Sequence, residues 1–131
     1  MMRSLTISVE IVTTPDDVMA YASDPRHLPD WAPGLAVSVK PEADGWRVQM
    51  LDGTSAMLWF TPPNADGILD HTVRLPNGVE VLNRMRVAAS HMGSEVSFEL
   101  NQLEGTSDEQ FEQDADQVRS DLDRLRVILE D

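Results

Sequence analysis

Residues 107–130 read SDEQFEQDADQVRSDLDRLRVILE. Phe111, Ala115, Val118, Leu122, Leu125 and Leu129 recur at steps of four and three, the spacing that lines up side chains on one face of a helix. Ser107 is placed to cap the first turn, and Gln110 three residues later completes a capping-box pattern. The stretch therefore predicts a helix from Ser107 to about Glu130 whose apolar stripe runs from Phe111 to Leu129, with mostly charged residues elsewhere. Such a stripe is either a coiled-coil seam or a face packed on a sheet. It lasts under three heptads, and the rest of the chain supplies a sheet that needs covering, so the sheet is the expected partner.

Upstream of the helix, short apolar stretches alternate with turn residues. The strand candidates are Leu35–Val39, Trp46–Met50, Ser55–Phe60, Ile68–Leu75, Val79–Ala89 and Glu95–Leu100. Asp44-Gly45, Asp52-Gly53, Pro62-Pro63-Asn64, Asn77-Gly78 and Met92-Gly93 separate them, as in consecutive antiparallel hairpins. At the start of the chain Leu5, Ile7, Val9 and Ile11 alternate with polar residues and mark one further strand. Thr14-Pro15-Asp16-Asp17 then opens a short helix, since Thr caps, Pro suits the first helical position and Asp favours the positive helix end. Asp24-Pro25 stops it, and a second short helical turn is expected from Pro25 to Trp31. The predicted class is α+β: a curved, six- to seven-stranded antiparallel sheet around a long C-terminal helix, with two short helices after the first strand, in one domain spanning 1–131.

Composition narrows the function. The 131 residues carry a formal net charge of −13 and no cysteine, which excludes disulfides and thiolate chemistry. From Glu104 to Asp131 there are 10 acidic and 3 basic residues, −7 of the total. Phosphate backbones need clustered Lys and Arg, so no nucleic-acid partner is expected. No apolar run approaches a membrane span, and the N-terminal stretch alternates instead of forming a signal core. A cytoplasmic location is the expectation.

If each strand turns its apolar parity toward the helix, the inner face holds Leu35, Val37, Val39, Trp46, Val48, Met50, Leu69, His71, Val73, Val79, Val81, Asn83, Met85, Val87, Val96, Phe98 and Leu100. For Ser55–Phe60 the parity is ambiguous, because Met57, Leu58, Trp59 and Phe60 are all apolar. Both faces of that strand could be covered, for example by a second subunit, so a homodimer stays open. His71 and Asn83 are the polar interruptions. A buried imidazole or amide without a partner costs roughly 1–3 kcal/mol. Either the protein satisfies them internally or they orient a ligand in an apolar cavity.

The segment Thr14-Pro15-Asp16-Asp17-Val18 through Asp24-Pro25 and Leu28-Pro29-Asp30-Trp31 resembles the first helices of the START-like superfamily of polyketide cyclase, lipid-transfer and birch-pollen-allergen-like proteins. Gly67-Ile68-Leu69-Asp70-His71, Met85-Arg86-Val87, Gly93-Ser94-Glu95-Val96-Ser97-Phe98, Asp114 and Asp121-Leu122 are similar to a bacterial subgroup of it. The resemblance spans nearly the whole chain. It implies a helix-grip fold with a cavity between sheet and long helix, and the short helices near its mouth. Trp31 would then either plug the core or contact a ligand, and Trp59 would either line the cavity or pack outside. The adaptable side chains of Met50, Met57 and Met85 suit a pocket as well as an ordinary core.

No metal or other cofactor is expected: His27, His71 and His91 have no metal-ligand spacing, and no nucleophile elbow or phosphate loop is present. Asp70 and His71 are neighbours on one strand, so they point to opposite faces and form no acid–base pair. Arg74, Arg84 and Arg86 share the outward parity and should meet surface carboxylates. The leading reading is binding of a small hydrophobic or aromatic molecule, with Trp31, Met50, Trp59, His71, Val81, Asn83, Met85 and Phe98 as contacts. The alternatives are a cyclase-, dehydratase- or hydrolase-like enzyme with His71 as general acid or base, and an interaction module without a ligand.

Overall fold

The computed structural model describes residues 2–131. Strand β1 (Ser4–Ile11) leads into helix α1 (Pro15–Ala22), a 3-10 turn (Pro25–His27) and α2 (Leu28–Trp31). Six strands follow, β2 (Ser38–Glu42), β3 (Gly45–Gln49), β4 (Ser55–Phe60), β5 (His71–Arg74), β6 (Glu80–Ser90) and β7 (Gly93–Asn101), and the chain closes with α3 (Asp108–Glu130). All pairings are antiparallel, and the sheet order is β1-β7-β6-β5-β4-β3-β2. Five consecutive hairpins thus run from β2 to β7, and β1 returns to the free side of β7.

The caps form largely as the sequence predicts. Thr14 accepts from the Asp17 N–H at the head of α1, and Ser107 accepts from the Gln110 N–H at the head of α3. The reciprocal half of the capping box is replaced: the Gln110 amide donates to Asp114 instead, one turn onward. Helix α3 lies over β1 and β7 and runs in the direction of β1. Arg3 sits over the Phe111 ring and pairs with Glu112 at one end, and the Val12 N–H donates to Glu130 at the other.

Two strands depart from their expected limits. Leu35 and Ala36 both donate their N–H to Ala32 O, so the chain is still turning there and β2 starts only at Ser38. Its Pro41 is tolerated because β2 is the sheet edge. The expected strand Ile68–Leu75 is interrupted. The register His71↔Asn83 continues to the bridge Ile68↔Arg86, and between them Leu69 donates to Met85 O. The return bond is missing, because the Met85 N–H is taken by Asp70 Oδ1 at 3.0 Å. Gly67 pins the loop before this break. Its φ is +74°, and a Cβ there would stand 2.0 Å from Val87 O, so only glycine fits.

The core follows the predicted parity with two exceptions at the sheet ends. Val37 and Val79 are exposed. Ile11, Leu69, Met85, Val87 and Val96 from the sheet side meet Val18, Ala22, Leu122 and Leu125 from the helices in one buried cluster. The parity of β4 is resolved by its pairing. Leu58 opposes Val73 and Phe60 opposes His71, so Ala56, Leu58 and Phe60 face inward and Met57 and Trp59 outward.

Candidate functional site

Under the N-terminal half of α3 the packing stops and leaves a cavity of about 280 Å3. The sheet contributes Met50, Val73, Leu75, Val81, Phe98 and Leu100, the α2 segment Leu28, Trp31, Ala32 and Leu35, and the helix Val118 and Leu122. Its polar members are His71 and Asn83 from the sheet, and Asp114, Gln117 and Asp121 from α3. A liquid water occupies about 30 Å3, so the space equals roughly nine waters. It falls just below the usual range for small-molecule pockets, which starts at about 300 Å3.

His71 is built in from three sides. Its ring stacks on Phe60 with centroids 4.8 Å apart and tilts toward Phe98 at 6.1 Å. Nδ1 lies 3.1 Å from Leu69 O, the carbonyl that the interrupted ladder leaves free. Burial holds the imidazolium form down, so the pKa falls below its ordinary value of 6.5; the Leu69 carbonyl and Asp70 oppose this only in part. Asp70 itself faces the other way, toward Arg86 and the Met85 N–H, as expected for strand neighbours. Asn83 stands directly opposite His71 on β6.

The helix side carries the residues that the sequence reading missed. Asp121 is buried and lies three residues after Val118 and four before Leu125, inside the apolar stripe. It accepts from Gln117 at 3.0 Å and from Arg124 at 3.1 Å. Burial raises its pKa, against the lowering effect of Gln117, Arg124 and the Gly34 backbone. The stripe spacing was the available signal, since a polar residue at that position must meet the sheet side. Gly34 allows the contact: a Cβ there would lie 2.3 Å from the Gln117 side chain, so the connector after α2 closes on the helix at this point.

Of the residues expected at a ligand, Trp31, Met50, His71, Val81, Asn83 and Phe98 line this space. Trp59 does not. It lies on the convex face, where Nε1 donates to Asp44 and the Arg74 guanidinium stacks 4.8 Å from the ring centroid. Met85 shares the inward parity but sits in the closed core beyond Asn83. Trp31 is buried, and its Nε1–H has no partner among the described residues. Arg74 pairs with Glu80 and Arg86 with Asp70, as the outward parity implies, whereas Arg84 meets no carboxylate among the described residues.

A sheet wrapped on a long helix with an apolar space between them defines the helix-grip class. The chain belongs to the family described as polyketide cyclase / dehydrase and lipid transport, whose model matches residues 2–126. A comparison with curated proteins finds no match. Among solved structures, an uncharacterized protein from Bacillus thuringiensis superposes with a TM-score of 0.76 at 18% identity, covering 98% of this chain and 100% of the other. Ara h 8.0201 is similar with a TM-score of 0.71 at 13% identity and 98% coverage of both chains. DynU16, assigned to the dynemicin biosynthetic locus, gives 0.72 at 17% identity, with 97% of this chain on 47% of that one. At these identities the likenesses establish the fold.

Proposed function

We propose that this protein binds one small hydrophobic or aromatic molecule in the space under α3, as a carrier or sensor. The observation behind this reading is an apolar cavity of about 280 Å3 with a few convergent polar groups. Its size suits one or two fused rings and is small for a two-chain lipid. The family's description points toward polyketide- or lipid-like molecules. A module working only through its surface would be expected to have a collapsed core, so the cavity counts against that reading.

An enzyme reading keeps one observation in its favour. Burial disfavours the charged form of His71, whose ring is oriented and faces the cavity beside Asn83, which suits a general base next to a carbonyl-polarising amide. With a substrate in hand, His71→Ala should abolish turnover and leave the fold intact. Normal turnover by that variant would remove the assignment.

Native mass spectrometry after mild purification tests the binding reading, together with thermal melting against one- and two-ring aromatics. A retained small molecule is expected, or a melting shift equivalent to about 2.7 kcal/mol at a hundredfold excess over Kd. A protein that is always empty and unshifted by the whole panel would contradict it.

A further inference from the structure

We infer that the molecule held under α3 is uncharged and carries a hydroxyl that donates to Nε2 of His71: a phenol-like aromatic, not a carboxylic acid. This rests on the cavity being a binding site, and it goes further by assigning the polarity of what the cavity accepts.

The first part follows from the His71 tautomer. Its Nδ1 is 3.1 Å from Leu69 O. A carbonyl oxygen can only accept, so Nδ1 carries the hydrogen. In a neutral imidazole the other nitrogen then bears a lone pair. The ring cannot turn over freely to offer Nδ1 instead, being stacked on Phe60 and flanked by Phe98. His71 therefore presents a fixed acceptor among apolar walls, and the complementary ligand group is an O–H or N–H. Asn83 opposite can supply both a donor and an acceptor to the same end of the molecule.

The second part follows from charge. Asp114 and Asp121 line the cavity, and among the described residues no Lys or Arg does. Of the arginines on β5 and β6, Arg74 pairs with Glu80 and Arg86 with Asp70, and Arg84 shares their outward parity. Arg124, itself partly exposed, is engaged by the buried Asp121. A ligand carboxylate would lose its hydration beside Asp114 and an imidazole lone pair, and the one cation nearby, Arg124, is already committed to Asp121. The net charge of −13 also repels an approaching anion. Fatty acids and aryl carboxylates are thereby disfavoured, although the walls would suit their apolar parts.

Three probes of one ring system separate these terms by calorimetry at neutral pH: 2-naphthol, 2-methoxynaphthalene and 2-naphthoate. The naphthol should bind about tenfold more tightly than the methyl ether, the effect of one buried hydrogen bond. The carboxylate should bind at least about tenfold more weakly than the ether. His71→Leu should bring naphthol and ether to about equal affinity, and the wild-type ratios stand as a test should that variant fold poorly. Equal binding of naphthol and ether, or a carboxylate that matches the naphthol, would overturn the inference and leave the cavity reading intact. Failure of all three to bind would remove the cavity reading, and this inference with it.

Discussion

Leu69 and His71 stand two residues apart on one face of one chain segment, as do Met85 and Asn83 on β6 and Val96 and Phe98 on β7. The first member of each pair belongs to the closed core with Ile11, Val18 and Leu125. The second lines the cavity. One step of two residues, about 6.6 Å along a strand, thus crosses from a packed interior to an open one. What changes is the cover. Helix α1 adds Val18 and Ala22 over the closed half, whereas the open half is covered by α2, Gly34 and the polar flank of α3. The polar residues of the inner face stand at this boundary, where a ligand or water can satisfy them. The closed half holds the helix on the sheet, and the open half is thereby free to be incompletely packed.

The strongest way to break the comparison is to truncate one helix at two points. Leu125→Ala, in the closed half, should cost about 2–5 kcal/mol in denaturant unfolding. Val118→Ala, over the cavity, should cost under about 1.5 kcal/mol, since its neighbours on one side are already missing. Equal losses would mean the two halves are packed alike. A smaller effect is expected at the break in the β5–β6 ladder. Asp70→Ala leaves the Met85 N–H without its carboxylate partner, at about 1–3 kcal/mol. If Leu69 O recovers that N–H, it is shared between two donors and the anchor of His71 weakens, so the nitrogen-15 NMR signals of the ring should shift from the Nδ1–H tautomer toward a mixture. An unchanged tautomer would show that Asp70 does not position the ring.

The smallest effect expected is a pH dependence. Burial holds the pKa of His71 in the folded protein below its ordinary value of 6.5. As pH falls through that value the unfolded chain takes up a proton that the folded one does not, so stability declines. Wild type should therefore lose stability relative to His71→Gln between about pH 7 and about pH 5. A constant difference over that range would mean that His71 titrates normally in the folded state.

The sequence carried the face of each residue better than its depth. Period-two alternation placed His71, Asn83 and Phe98 inward, because a one-residue slip would expose the whole apolar set. The same alternation could not tell Met85 from Asn83, since parity carries no information on which part of a strand α1 covers. Trp59 was undecidable from a run of four apolar residues. Its outward direction is set by pairing partners and by Arg74 and Asp44, which are remote in sequence. Asp121 was legible in principle from its place in the helical stripe and was hidden by the general acidity of α3. The cavity itself arises from what is missing between elements, and no local pattern encodes it.

The difference between the halves is tested most directly by placing the same large side chain in each. Val96→Phe enters the closed half, where Val96 is fully buried, and should lower unfolding stability by about 1–3 kcal/mol through overpacking. Val81→Phe enters the cavity and should leave stability unchanged or raise it. A loss for Val81→Phe as large as that for Val96→Phe would contradict the account, because it would mean that the space under the N-terminal half of α3 is already filled by the protein.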